Sequence, residues 1–168
     1  PRWMALARVT SAGTASQTGV GGPAHGARLG PLARRFGLTV DNLLSVDIVT
    51  ADGRLLRASA DENPDLFWGV RGGGGNFGVV TSFEFRLHPM ARQVVGGDLM
   101  FPISRARELL DFYAEYAAKA PDELYVDAGM AAPPGGRDGF FEFGICYSGP
   151  PGDAERALAP LRKLGTPL

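Results

Sequence analysis

The sequence has few of the residues that define specialised classes of protein. A single cysteine, Cys146, excludes an intrachain disulfide framework and is typical of a reducing compartment. The two histidines, His25 and His88, lie far apart, and no cysteine or histidine spacing suits a zinc site. A net charge of −1 provides no electrostatic basis for binding nucleic acid or an anionic membrane. No apolar run approaches the roughly 20 residues that a membrane-spanning helix needs.

Glycine and proline are the residues that the chain has in quantity. The 24 glycines and 13 prolines fall in clusters rather than in a low-complexity tract, which predicts a folded protein with many tight turns. The sequence opens on Pro1 without a secretory signal and stops at Leu168 just after a helical pattern. We therefore predict a cytoplasmic protein and interpret the chain as a piece of a longer one.

Four consecutive glycines, Gly72 to Gly75, stand between the apolar segment 66–70 and an alternating strand that begins near Val79. Glycine costs conformational entropy, so a run of glycines indicates positive φ angles or a close approach of the backbone. The run by itself is compatible with a phosphate-binding loop. Asn63 as N-cap and Pro64 as first residue predict a short helix before it, which favours a turn that seats the following strand.

A second glycine-rich region runs from Gly19 to Gly30. Pro31 at a first helical position predicts a short helix through Phe36, with Gly37 as its C-terminal cap. A glycine loop that leads into a helix N-terminus is a candidate anion site, because free N–H groups and the helix dipole point the same way. A plain turn before a helix is the alternative that the residues leave open.

Alternating apolar residues predict three strands in the first half of the chain. In the strand 44–50 the inner face consists of Leu44, Val46 and Ile48, and the Asp52-Gly53 turn predicts a hairpin with residues 54–58. The strand 79–87 alternates again, and its apolar face consists of Thr81, Phe83, Phe85 and Leu87.

The pattern changes near Met90, where we expect a domain boundary. A strand over 94–101 precedes a helix from Ser104, its predicted cap, to about Ala120. Strands with inner faces at 124–130 and 141–147 follow, and a last helix is predicted with Asp153 as its cap and a kink at Pro160. This order, β-α-β-β-α, predicts a largely antiparallel sheet backed by helices and hence an α+β fold.

Several segments together resemble one known family. They are TGVGG at 18–22, Gly26, Gly30, RRFGLTVDN at 34–42, and VTADGRLLRASADENPDLFWGVRGGGGNFGVVTSFEFRLHP at 49–89. This combination resembles the FAD-binding domain of berberine bridge enzyme-like oxidoreductases, which belong to the vanillyl-alcohol-oxidase (PCMH-type) superfamily. PDELY and the ending GPPGDAERALAPLRKLGTPL look like the first half of that family's substrate domain, so the resemblance covers about residues 18–168.

The resemblance implies the C-terminal half of a PCMH-type FAD-binding domain, followed by the first part of a helix-backed antiparallel-sheet substrate domain. It assigns 18–90 to the FAD-binding subdomain and 91–168 to a partial substrate domain, with 1–17 as a poorly defined lead-in. The family's N-terminal FAD subdomain and its C-terminal catalytic segment have no counterpart in this sequence.

The resemblance also implies which residues contact FAD. In the family the glycine stretch lies along the pyrophosphate and flavin, an Asp-Asn pair shapes the adjacent wall, and a Gly-Val-Val segment contacts the adenosine side. The residues that match are Gly19, Val20, Gly21, Gly22, Gly26, Gly30, Asp41, Asn42, Gly78, Val79 and Val80. Ala15 stands where some members link flavin to cysteine, so the expected FAD is non-cysteinyl. Ala27 and Arg28 replace two family glycines, and Arg28 either pairs with a phosphate or fills the flavin's space.

Isolated reactive side chains do not form an acid–base pair. His88, before a proline at a strand end, is interpreted as structural, and Cys146 as a small buried hydrophobe. His25 is either a polar group beside the flavin or a turn residue. Glu142 either reaches a substrate cavity or lies on a solvated strand face. We predict no catalytic residue and no metal ligand in this chain.

The function that the resemblance implies is that of an FAD-dependent oxidoreductase of the oxidase type. A small-molecule substrate gives hydride from a C–H bond to flavin N5, and O₂ reoxidises the flavin. Two alternatives stay open: a flavin-free, degenerate relative that serves as a binding module or as a lyase or isomerase, and a truncated chain without activity. An exposed sheet surface would favour a homo-oligomer.

Overall fold

The computed structural model describes residues 7–13, 19, 21–22, 29–91, 93–132, 135 and 138–168. The chain divides into two compact units, Pro1–Pro89 and Met90–Leu168. Each unit combines an antiparallel three-stranded sheet with helices, which confirms the predicted α+β class. None of the described helices has the length and apolar content that crossing a bilayer requires.

The first unit contains two antiparallel sheets. The elements are β1 (Arg8–Val9), α1 (Ala33–Phe36), β2 (Leu43–Val49), β3 (Leu55–Ser59), α2 (Pro64–Val70), β4 (Val79–Phe85) and β5 (His88–Pro89). Strand β1 pairs with β5, and β2 lies between β3 and β4. Short 3₁₀ turns occupy Val40–Asn42 and Gly74–Phe77.

A β-bulge changes the face that β2 presents to the core. Leu43 pairs with Phe85 and Ser45 with Glu84, so Leu44 is an extra residue without an opposite partner. Leu44 is 38% exposed, whereas Leu43 is buried. The prediction that Leu44 lies on the inner face is therefore wrong, because the bulge shifts the alternation of side chains by one residue.

A second irregularity affects β4. Asp47 pairs with Ser82 and Ile48 with Val80, which leaves Thr81 as the extra residue on β4. The Thr81 hydroxyl donates to the carbonyl of Asp47 at 3.2 Å and is exposed, so Thr81 does not share the inner face as predicted. The residues that pack against the first core from β4 are instead Val80, Phe83 and Phe85.

Helix α2 begins at Pro64 as predicted, but its cap differs from the prediction. Asn63 has a left-handed backbone conformation (φ 48°) and makes no side-chain capping bond. Its side-chain amide instead donates to the carbonyl of Arg57 at 2.7 Å, which ties the helix to β3. Phe67 and Val70 of α2 complete the first core.

The glycine run is a turn between α2 and β4. The Gly73 amide donates to the carbonyl of Gly69 at 3.0 Å, and the Asn76 side chain donates to the carbonyl of Gly73 at 2.7 Å. A Cβ at Gly73 would collide with the carbonyl of Gly69 and with the ring of Phe77. The run therefore allows the chain to fold back so that Phe77 lies against the end of α2.

The second unit contains one three-stranded antiparallel sheet and two longer helices. Its elements are β6 (Val95–Pro102), α3 (Ala106–Lys119), β7 (Leu124–Ala131), β8 (Phe140–Tyr147) and α4 (Ala154–Arg162). The strand order is β6-β8-β7. Both helices contribute to one core with the inner faces of the strands, and among its buried residues are Phe101, Leu109, Leu124, Phe141, Phe143 and Leu161. The inner face that alternation predicts for β8 is thus confirmed, and that of β7 is confirmed from Leu124 to Ala128, whereas Met130, predicted on the same face, is 59% exposed.

Neither helix of the second unit uses its predicted cap. A 3₁₀ turn, Ile103–Arg105, leads into α3, so Ser104 lies before the helix and makes no capping bond. Asp153 occupies the N-cap position of α4 without a capping bond, since its carboxylate accepts from Arg156 at 2.8 Å. Pro160 lies inside α4, which ends two residues later at Arg162.

Candidate functional site

The described residues of the glycine stretch expected to contact a cofactor lie near β4 at one end and near the segment after β1 at the other. The Gly22 amide donates to the carbonyl of Gly19 at 3.2 Å, and a Cβ at Gly21 would lie 3.7 Å from the ring of Phe83. At the other end, a Cβ at Gly30 would collide with the carbonyl oxygen of Ala12. Gly30 is therefore required by close packing of two backbone segments. Two further predicted residues, Val20 and Gly26, lie outside the described residues.

The helix that follows this stretch is shorter than predicted. Helix α1 has the single turn Ala33–Phe36, and Pro31 precedes it in a turn. The Ala33 amide donates to the carbonyl of Gly30 at 2.9 Å, and Gly37 ends the turn with φ 79° as predicted. One turn sums few peptide dipoles, so the candidate anion site at this helix N-terminus loses its physical basis.

The side chain of Asn42 is buried and joins three segments of the first unit by hydrogen bonds. Its side chain is only 2% exposed, and its amide donates to the carbonyls of Phe36 at 2.9 Å and Leu38 at 2.8 Å. Its Oδ1 lies 2.6 Å from His88 Nε2, and because an amide oxygen can only accept a hydrogen bond, Nε2 is the donor. The His88 ring stacks on Phe36 with centroids 4.5 Å apart. His88 thus has the structural role predicted for it.

Arg71 holds the neighbouring turn from the end of α2. Its Nε donates to the carbonyl of Val40 at 3.0 Å, and its guanidinium lies 3.6 Å from the carboxylate of Asp41. The other Asp41 oxygen accepts from the amide of Leu38 at 2.9 Å. The predicted Asp41–Asn42 pair is therefore fixed from two directions, and Asp41 keeps a half-exposed carboxylate while Asn42 does not.

The three residues of the predicted Gly78–Val80 segment have different surroundings. Gly78 has φ 140°, and a Cβ there would collide with the carbonyl oxygen of Val49. Val80 packs against the first core, whereas Val79 is 69% exposed on the opposite face of the sheet. Val79 lies in one row with Val49 and Leu55 across β4, β2 and β3. A molecule that approaches this edge meets the Val79 side chain and the backbone beside it.

Three buried hydroxyls lack a hydrogen-bond partner in the part of the chain that the structure describes. They belong to Thr10, Ser11 and Thr39. Ser11 and Thr39 are each only 1% exposed. An unpaired buried hydroxyl costs about 1–3 kcal/mol, so a polar group from another molecule would lower the free energy of the folded chain if it reached them.

The second unit carries its polar side chains on the sheet face opposite α3 and α4. Asp98, Gly144 and Asp127 lie in one cross-strand row, and a Cβ at Gly144 would collide with the Asp127 carboxylate. The Tyr125 hydroxyl donates to Asp127 at 3.0 Å. Burial, followed by the Asp127 carboxylate, raises the pKa of Tyr125 to about 12, so Tyr125 is a neutral donor at ordinary pH.

Glu142 and Cys146 share that open face. Glu142 lies opposite Met100 and Gly129, which places it on the sheet surface rather than in the core. Cys146 is half-buried on the same side instead of in the helix-backed core, and burial raises the pKa of its thiol. Among the described residues no group of three histidine, cysteine or acidic side chains is arranged to hold a metal ion.

Sequence reasoning missed the residues that act through long-range contacts. Arg71 bonds to residues about thirty positions earlier, and His88 bonds to Asn42 across 46 positions, so no local pattern marks either contact. The unpaired hydroxyls likewise have no local signature, because the sequence does not show which threonine or serine is buried.

The chain matches one family model and resembles several known proteins. A family model described as an FAD binding domain matches residues 5–59. The FAD-linked oxidoreductase pgmH of Aspergillus terreus is 34% identical over 157 residues, which cover 91% of this chain and 32% of that protein.

Two solved structures resemble the whole chain. The 6-hydroxy-D-nicotine oxidase of Arthrobacter nicotinovorans has a TM-score of 0.87 at 30% identity and covers 99% of this chain, which corresponds to 37% of that chain. The BBE-like 1 protein of Physcomitrella patens has a TM-score of 0.84 at 26% identity. The match covers 99% of this chain and 36% of the Physcomitrella protein. The chain therefore spans about a third of the length of the proteins that it matches.

The comparisons confirm the predicted resemblance, the PCMH-type fold and FAD as the cofactor of the family. The described residues also fit such a group. The glycines at 19, 21 and 22 expose backbone rather than side chains, and all three unpaired hydroxyls fall within the matched residues 5–59. FAD is rich in hydrogen-bonding atoms and has a planar ring system that needs close backbone approach.

Proposed function

Because the chain belongs to the berberine bridge enzyme-like family of FAD-linked oxidoreductases, we propose that it provides part of the flavin-binding structure and part of the substrate domain of an FAD-dependent oxidoreductase. The observation that carries this proposal is the coincidence, within residues 5–59, of the glycine stretch and the three unpaired buried hydroxyls. A polar, planar cofactor accounts for both features.

In this proposal the first unit holds the cofactor mainly by its backbone. Contacts come from the glycine stretch at 19–30, from the Asp41–Asn42 turn, and from Gly78 to Val80. Arg71 and His88 keep the Asp41–Asn42 turn in one conformation before the cofactor arrives, which lowers the ordering cost of binding. Because the Asn42 side-chain amide is bonded inside the protein, we propose that Asn42 contacts the cofactor through its backbone and that its side chain fixes the turn.

The second unit corresponds to the predicted partial substrate domain over 91–168. Its open sheet face offers a neutral tyrosine and carboxylates at Tyr125, Asp127 and Glu142, which suit a polar small molecule. FAD, when bound, supplies the hydride acceptor, and O₂ is the proposed oxidant. We assign no catalytic base to this chain. The cytoplasmic location and the homo-oligomer stay predictions.

The test is an equilibrium titration of the purified chain with FAD, followed by flavin fluorescence and visible absorption. Saturable binding at one FAD per chain would support the proposal and exclude the flavin-free alternative. A colourless chain that leaves the fluorescence of added FAD unchanged would contradict the proposal for this chain.

Two matched glycine variants locate the binding. No heavy atom lies within 4 Å of a Cβ at Gly19 or at Gly152, and neither has a positive φ, so the two positions are matched in how a Cβ fits the folded chain. Gly19→Leu should weaken FAD binding because the leucine occupies the cofactor surface. Gly152→Leu, which lies in the second unit, should bind as the parent chain does. Equal affinities of the two variants would argue against a cofactor on the glycine stretch.

A further inference from the structure

A groove lies between α4 and the C-terminal half of α3, on the helix side of the β6-β8-β7 sheet. Its volume of about 740 Å³ falls within the range of about 300–1,000 Å³ that is usual for small-molecule sites. Every residue that lines it lies between Phe112 and Pro160, so its walls belong to one unit. The Tyr116 hydroxyl donates to the carbonyl of Ala157 at 2.6 Å and so joins the two walls. The packing of α3 against α4 therefore forms the groove.

The apolar part of this lining is rich in rings. Phe112 and Tyr116 of α3 are stacked with their centroids 5.1 Å apart. Tyr147, at the end of β8, also lines the groove and is only 4% exposed. The prolines that complete this part of the lining are Pro121, Pro150 and Pro160. Such a surface favours a flat apolar group, because aromatic pairs gain stabilisation beyond the area that they bury.

The charged part of the lining carries an excess of carboxylates. Asp153 and Arg156 neutralise each other in an ion pair of 2.8 Å. Glu115 and Glu123 form no ion pair with another described residue. Lys119 is the remaining cation of this lining, so the groove has a net negative charge and favours a cationic ligand.

A backbone acceptor lies in the α4 wall of the groove. Pro160 is inside α4 and has no N–H, so it makes no helix bond to the carbonyl of Arg156 four residues earlier. Arg156 and Pro160 both line the groove. A ligand that carries N–H donors can bond to this wall, whereas an anionic ligand offers it only acceptors.

We propose that this groove binds an aryl-alkyl ammonium ion. The ammonium group is attracted by the carboxylates of Glu115 and Glu123 and donates to the carbonyl of Arg156. The aryl group packs among the rings that Phe112 and Tyr116 contribute. The site is additional to the flavin surface and to the open sheet face of the proposed function, and it depends on neither.

The test is a titration of the full chain, without FAD, followed by the NMR shifts of its backbone amides. The probes are phenethylamine and phenethyl alcohol, which share the phenyl ring and the two-carbon linker. Only the amine is charged at neutral pH, so the pair isolates the contribution of the ammonium group.

We expect the shift changes to be confined to residues 112–123 and 147–160. The amine should bind about three- to tenfold more tightly than the alcohol, as one or two partly exposed ion pairs allow. Equal affinities of the two probes, shift changes centred on other residues, or no saturable change with the amine would overturn the proposal.

Charge-neutralising variants locate the ammonium group. Glu115→Gln combined with Glu123→Gln should remove most of the advantage of the amine over the alcohol. Asp111→Asn, the matched control on the exposed surface of α3 outside the groove, should bind the amine as the parent chain does. Lys119→Gln should tighten binding of the amine about two- to threefold, because it removes the competing cation. An affinity that falls in Glu142→Gln but not in the double variant would place the amine on the open sheet face and contradict the proposal.

Discussion

Replacement of Asn42 by alanine removes three hydrogen bonds from the interior of the first unit. Three bonds disappear: those to the carbonyls of Phe36 and Leu38, and that from His88 Nε2. Each net bond contributes about 1 kcal/mol, and a buried group left unpaired costs about 1–3 kcal/mol. We therefore expect Asn42→Ala to lower the free energy of unfolding by about 3–5 kcal/mol.

The assay is urea unfolding followed by circular dichroism, with the midpoint and slope fitted for each variant. Asp41→Ala is the matched control at the adjacent position. Its carboxylate is half-exposed and has one bond to Leu38 and a long contact to Arg71, so a loss of about 1 kcal/mol or less is expected. His88→Gln keeps a side-chain donor and should lose less stability than His88→Ala.

Two results would refute this account of Asn42. A loss of no more than about 1 kcal/mol for Asn42→Ala would show that the three bonds do not hold the turn. A large fall in FAD affinity without loss of stability would show that the amide contacts the cofactor directly.

Other predictions concern single sites. Gly78→Ala should lower the free energy of unfolding in urea by about 2–4 kcal/mol, because its Cβ collides with the Val49 carbonyl at a positive φ. In Gly75→Ala the new Cβ lies in open space, so the free energy of unfolding should be close to that of the parent chain. Burial raises the pKa of Tyr116 to about 12 from 10.0, so its contribution to stability is complete below pH 10 and is lost as pH rises through about 12. Tyr116→Phe should flatten that alkaline decline. Burial raises the pKa of Cys146, so alkylation of the folded chain should be slower than that of the urea-unfolded chain. Equal alkylation rates would contradict the half-buried position.

The element order could be predicted from sequence because local signals were strong. The Asp52-Gly53 turn gave the β2–β3 hairpin, and Pro64 marked the start of α2. Alternation over 124–128 and 141–147 predicted the core-facing residues of β7 and β8. In each case neighbouring residues carry the information.

The errors arose where tertiary pairing overrides local pattern. The bulges at Leu44 and Thr81 depend on the register between β2 and β4, which single strands do not encode. Asn63, Ser104 and Asp153 are good capping residues by type, but none makes a capping bond, and the side chains of Asn63 and Asp153 bond elsewhere. Competing partners decide where a short polar side chain goes.

The candidate site is proposed from family likeness more than from local chemistry. A Cβ at Gly19 would meet no other atom within 4 Å, whereas a Cβ at Gly30 or Gly78 would collide with backbone of the same chain. Some glycines are therefore required by packing within the chain, and others are available to the proposed cofactor. The sequence alone does not distinguish the two kinds.

The central claim is that FAD binds on the first unit along the glycine stretch and the Gly78–Val80 segment. Amide hydrogen exchange of the whole chain with and without saturating FAD tests it most directly. The account predicts slower exchange in residues 19–42 and at 78–80, and unchanged exchange in α3 and β8. Protection confined to the second unit, or no change anywhere at saturating FAD, would contradict it.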